Sequence, residues 1–102
     1  MDEYEEFVQF LENNPAYYKI INSAVFMSLL TILNSAPRSF SELLRGNQNI
    51  EEGDLETMLA VLEDLEMVKQ AKSAENRVFY ATEKTRGMLS KFEKVKDRFR
   101  VA

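Results

Sequence analysis

Residues 55–89 read LETMLAVLEDLEMVKQAKSAENRVFYATEKTRGML, and the reading of this stretch decides the fold. Leu55, Leu59, Leu62 and Leu65 recur at the spacing that lines one side of an α-helix. Two short runs follow, VKQAK at 68–72 and RVFYA at 77–81, the second rich in β-formers. They read as paired strands whose tip is Ser73 to Asn76. Thr82 then stands where a helix cap belongs, ahead of a final helix from about Glu83 to Phe99. The order is therefore an amphipathic helix, a polar hairpin and a closing helix.

Working back toward the N-terminus, SFSELLRG at 39–46 has Ser39 and Glu42 at the spacing of a capping box. Leu43 and Leu44 point inward, and Gly46 marks the stop. The segment NQNIEEG at 47–53 reads as a turn with Ile50 as its buried residue, and the next helix starts at about Glu51 or Asp54. Two helices joined by a short turn make a helix-turn-helix unit. Upstream, Tyr17, Ile20, Ile21, Ala24, Val25, Ser28, Leu29, Ile32 and Leu33 keep the helical period. They predict one central buried helix from about Pro15 to Asn34, ended by Ala36-Pro37. A first helix over Asp2 to Glu12 carries Tyr4, Phe7, Val8 and Leu11 on one side and acids in its first turn. Asn13, Asn14 and Pro15 end it.

A chain of 102 residues is one domain. Its parts are an N-terminal helix at 1–14, a helical core at 15–66, a hairpin at 67–82 and a C-terminal helix at 83–102. Cysteine and histidine are both absent, so thiol chemistry, disulfides and imidazole general-base catalysis are excluded. No glycine-rich phosphate loop or nucleophile motif appears, so neither an enzyme nor a cofactor is expected. The acidic N-terminus is unlike a signal peptide, and the longest apolar run, 24–33, is too short for a bilayer. A cytoplasmic protein with no membrane partner is expected. The net charge of −4 conceals a split: residues 1–67 hold 13 acids and 3 bases, residues 68–102 hold 4 acids and 10 bases. Such asymmetry points either to an anionic partner for the basic half or to pairing between the halves, within the fold or across a dimer.

Three segments in this order resemble the winged helix-turn-helix transcriptional regulators of archaea and bacteria, the broad group that includes the PadR-like and MarR-like families. RSFSELL at 38–44 resembles their second helix, and MLAVLEDLEMV at 58–68 their recognition helix and its exit. VFYATEKTRGML at 78–89 resembles the second wing strand and the helix after it. The resemblance covers about Ser23 to Phe92. It implies an α+β, mostly helical fold: a winged helix-turn-helix with an extra N-terminal helix and a long C-terminal helix. The chain departs from the pattern at Glu66 and Thr85, where these families usually have glycine.

What the resemblance implies is a regulator that binds double-stranded DNA, mainly through its wing. Lys69, Lys72, Asn76 and Arg77 on the hairpin, with Lys84 and Arg86 just beyond it, form the candidate basic surface. Arg38 and Arg45 bracket the short helix and are candidates for contact with the DNA backbone. The recognition helix offers only Glu56 and Thr57 for base contact, and Glu51, Glu52 and Asp54 precede them. Each carboxylate in a groove meets phosphates at a cost of roughly 1 kcal/mol per close pair in water. That conflict sustains an alternative, a protein-interaction module, DNA-mimicking in one version, that uses its acidic third helix with Ala60 and Val61. Met88, Phe92, Val95 and Phe99 are spaced as a heptad seam, with Tyr4, Phe7 and Leu11 as companions. They predict a homodimer interface; the other reading folds both terminal helices onto the domain core.

Overall fold

In the computed structural model, which describes residues 2–47, 49–72 and 76–98, six helices enclose a three-stranded antiparallel sheet. The expected hairpin tip at 73–75, the side chain of Lys72 and Phe99 lie outside the described residues. Helix α1 (Glu3–Asn13) starts at Asp2, whose side chain accepts a hydrogen bond from the Glu5 amide at 2.8 Å. Phe7 and Leu11 are its buried residues.

The central helix expected over 15–34 is two helices: α2 (Pro15–Ile21) and α3 (Ala24–Ser35), bent by 93°. Ser23 breaks the run. It is extended, and its hydroxyl accepts from the Phe26 amide at 3.2 Å, so it caps α3. The bend lets α2 bury Tyr17, Ile20 and Ile21 while α3 buries Leu29, Leu30 and Leu33. Among the described residues no single helix is long and apolar enough to cross a membrane.

Two residues that read as a cap and its neighbour form strand β1 (Arg38–Ser39), which leads into α4 (Phe40–Gly46). The capping box is present in both directions: Ser39 Oγ accepts from the Glu42 amide at 3.1 Å, and Glu42 Oε1 accepts from the Ser39 amide at 2.9 Å. Gly46 ends α4 without a positive φ, so it is not a left-handed stop. Ile50 is half-buried against the core in the turn before α5 (Glu52–Asp64). Strands β2 (Val68–Lys72) and β3 (Arg77–Ala81) pair antiparallel, as the sequence leads one to expect, with Val68 opposite Ala81 and Lys72 opposite Arg77. The sheet order is β1-β3-β2, with Arg38 opposite Phe79.

The exit of α5 is tightly specified. The Met67 amide donates to the Leu62 carbonyl and the Glu66 amide to the Glu63 carbonyl, both at 2.9 Å. This is the paired hydrogen bonding of a left-handed helix stop. Its left-handed position is Glu66, at φ 59, among the described residues the one non-glycine with positive φ. The Glu66 and Met67 carbonyls then fasten the far end of the wing. Thr82 Oγ1 donates to Glu66 O at 2.7 Å, and the buried Thr85 Oγ1 donates to Met67 O. Thr82 therefore begins α6 (Glu83–Val95) without making a side-chain cap.

Helices α1 and α6 pack against each other within the chain. Phe7, Leu11, Met88 and Val95 are all in the buried core, and the Phe7 and Phe92 rings lie 5.9 Å apart. The guanidinium of Arg98 sits 4.8 Å from the Tyr4 ring centroid and bonds Asp2 at 3.4 Å. Four members of the seam expected between two copies, Phe7, Leu11, Met88 and Val95, are buried inside one protomer. The physical reason is the N-terminal helix itself, which lays an apolar, partly aromatic stripe along α6.

Candidate nucleic-acid interface

The side chains of β3 alternate across the sheet. Phe79 and Ala81 are buried, so Arg77, two residues earlier, points the same way, toward the core side. There it meets α5. Both terminal nitrogens of the guanidinium donate to the Glu56 carboxylate, one at 3.3 Å and the other as a closer ion pair. The ring of Phe40, the first residue of α4, lies 4.7 Å from the same guanidinium, and that of Phe79 lies 5.6 Å away. Arg77 thus ties the wing to both helices of the helix-turn-helix. The hydrogen bond from Arg77 holds the Glu56 carboxyl below its ordinary value, and the Glu56 partner raises Arg77. A second tie lies further along the sheet, where Gln70 Nε2 donates to Glu63 Oε1 at 3.1 Å.

Two residues assigned to DNA from the sequence, Glu56 and Arg77, therefore face each other. Thr57 is exposed, and its hydroxyl is engaged with the Gly53 carbonyl at 3.0 Å. Lys69 lies on the outward face of the hairpin, opposite Tyr80 in register, and is exposed. Asn76 is exposed at the start of the second wing strand. Lys84 pairs with Glu66 at 3.3 Å and Arg86 with Glu83 at 3.2 Å, so the positive charge at the start of α6 is balanced locally. Arg38 and Arg45 line one hollow of about 300 Å³ beside α4, together with Glu42 and Asn47. The Ser39 amide hydrogen bond lowers the Glu42 carboxyl, with a lesser contribution from these two arginines.

The outer stripe of α5 is exposed at Gly53, Glu56, Thr57 and Ala60. Val61 beside it is a large apolar side chain left 38% exposed. What the sequence reading missed is Phe40 as the platform for Arg77 and β1 as the third strand. The period-two rule applied to 77, 79 and 81 carried a signal for the first.

No family model and no curated protein matches the chain. Solved structures do resemble it. The reduced form of the transcriptional regulator YodB from B. subtilis matches at 19% identity and a TM-score of 0.73, over 81% of this chain and 84% of that one. Rv0081 of M. tuberculosis matches at 21% identity and 0.76, over 87% and 90%. The transcriptional regulator homologue protein from Pyrococcus horikoshii OT3 matches at 22% and 0.54, over 95% and 96%. At such identities the likeness is one of fold, and the fold this chain shares with those structures is the winged helix-turn-helix that its sequence resembles.

Proposed function

We propose that this chain is a cytoplasmic, non-catalytic transcriptional regulator that binds duplex DNA on the surface shared by α4, α5 and the β2–β3 wing. The observation that carries the reading is the Arg77–Glu56 pair beside Phe40, which joins the wing to α5 on one face. The same pair offsets one of the acids that argue against a major-groove helix. Exposed Lys69 and Asn76 on the wing, and Arg38 with Arg45 at the hollow beside α4, supply contacts for phosphates. The structural neighbours described as a transcriptional regulator and a regulator homologue support the same reading.

We also propose that the active form is a homodimer. Exposed Glu5 and Glu6 on α1 and exposed Lys94 on α6 make no ion pair within the chain among the described residues. Two copies related by a two-fold axis would pair them. Fluorescence anisotropy of a labelled random-sequence duplex tests the regulator. Binding at low salt that falls steeply as salt rises, and weakens on Lys69→Glu, is the expected result. No binding at low salt removes it. Such a result leaves the second reading, a protein partner on the acidic face of α5, which the exposure of Val61 favours.

A further inference from the structure

We propose that the outward stripe of α5 reads bases directly: the clamped Glu56 carboxylate accepts a hydrogen bond from cytosine N4, and Ala60 with Val61 packs on a thymine methyl close by. The inference rests on the DNA-binding reading and specifies which bases that surface selects.

A free glutamate on a helix surface is a poor base reader, because it carries a net charge past phosphates and samples many rotamers. The contact with Arg77 lessens both handicaps at Glu56. Arg77 neutralises it, and the two-pronged contact holds the carboxylate plane in place. Arg77 also lies beside the Phe40 and Phe79 rings, so the guanidinium has contacts besides Glu56 that bring it to α5. The side chain of Glu56 remains 47% exposed. Each carboxylate oxygen has two lone pairs, and the guanidinium takes one from each, so acceptor capacity is left over.

A carboxylate requires a donor. In the major groove the base donors are cytosine N4 and adenine N6. Adenine sets its N7 acceptor beside N6 on the same base, where it repels a carboxylate; cytosine has only C5–H beside its amino group on the same base, the nearest acceptor being guanine O6 across the pair. Cytosine is therefore the base selected. One turn further on, Ala60 and Val61 are exposed and carry no side-chain polar group. The matching apolar feature of the groove is the thymine methyl. Four residues of helix rise about 6 Å, and successive bases of one strand are about 3.4 Å apart. The cytosine and thymine therefore lie within about two base steps of each other.

The test is selection from a random duplex pool with the full chain, followed by binding of single-base variants of the selected site. Enrichment of cytosine within two steps of thymine is expected, with roughly tenfold weaker binding when that C·G pair becomes T·A. Uracil in place of the thymine weakens binding by a smaller factor, since only a methyl is lost. Glu56→Gln moves the preference toward adenine, because an amide offers both the donor and the acceptor that adenine presents. Arg77→Leu removes the cytosine preference, and Arg77→Lys restores part of it, as expected of a positioning residue. Binding without base preference, or an unchanged preference in Glu56→Gln, overturns this inference and leaves DNA binding standing. The base substitutions act on the unaltered protein, so they decide the matter whatever the variants do to folding. Failure to bind any duplex at low salt overturns the DNA-binding reading itself.

Discussion

At Glu66 the backbone is left-handed, a conformation that costs an L-residue about 1–2 kcal/mol relative to its usual geometry. The helix stop demands it, since the Glu63 and Leu62 carbonyls are satisfied only if the chain reverses there. Glycine would adopt it freely but would lose about 0.4–1 kcal/mol through its freer unfolded state. The ion pair with Lys84 is solvent-exposed and offsets little. Glu66→Gly is therefore expected to raise stability by about 0.5–1 kcal/mol, read as a higher urea midpoint at unchanged slope. Both departures from the family pattern, Glu66 and Thr85, were legible in the sequence as unusual residues. Their consequences were not, because the buried hydrogen bond from Thr85 to the Met67 carbonyl joins residues far apart along the chain.

Among the elements, the wing shows that strand bounds alone do not give the direction of a side chain. The strands 68–72 and 77–81 were read at their observed bounds, because VFY is β-rich and the tip between them polar. The sequence groups Arg77 with the other wing cations, and the structure pairs it with Glu56. Its direction depends on which strand face is buried, and that is set by α5 and by β1, a strand of two residues too short to show a period. The break between α2 and α3 was hidden for a related reason. Ala24, Val25 and Ser28 continue the helical period of the preceding segment, while the cap at Ser23 turns the axis by 93°. The clamp between wing and α5 has a pH signature. Glu56 has its folded pKa depressed below the ordinary 4.5 by Arg77. Its contribution is complete above that ordinary value and is lost as pH falls through the lower folded one. Acidification should release the Arg77 side chain in that window, seen as a shift of its guanidinium NMR signals toward those of exposed arginine. In Glu56→Gln the same signals should not titrate there.

For the whole molecule, the question is whether α1 and α6 serve the protomer or the assembly. Phe7, Leu11, Met88 and Val95 are buried within one chain, so they belong to the core. Phe7→Ala is expected to cost about 3–5 kcal/mol of stability, as for a large aromatic removed from a packed site. A calorimetric or urea melt would show it. Had the seam faced a second copy alone, the same variant would remain folded as a monomer. Association should depend instead on the exposed charges, so light scattering of Lys94→Glu should show a smaller mass than wild type while the melting temperature stays nearly the same.

The surface proposed for DNA comprises the outer face of α5, the hollow beside α4 and the hairpin that Arg77 joins to α5. Amide NMR mapping on addition of a random duplex at low salt tests it most directly. The account predicts that shifts concentrate in 38–61 and in the two wing strands, and that α1 and the second half of α6 stay unperturbed. Shifts confined to α1 and α6, with α5 and the wing unchanged, would contradict it.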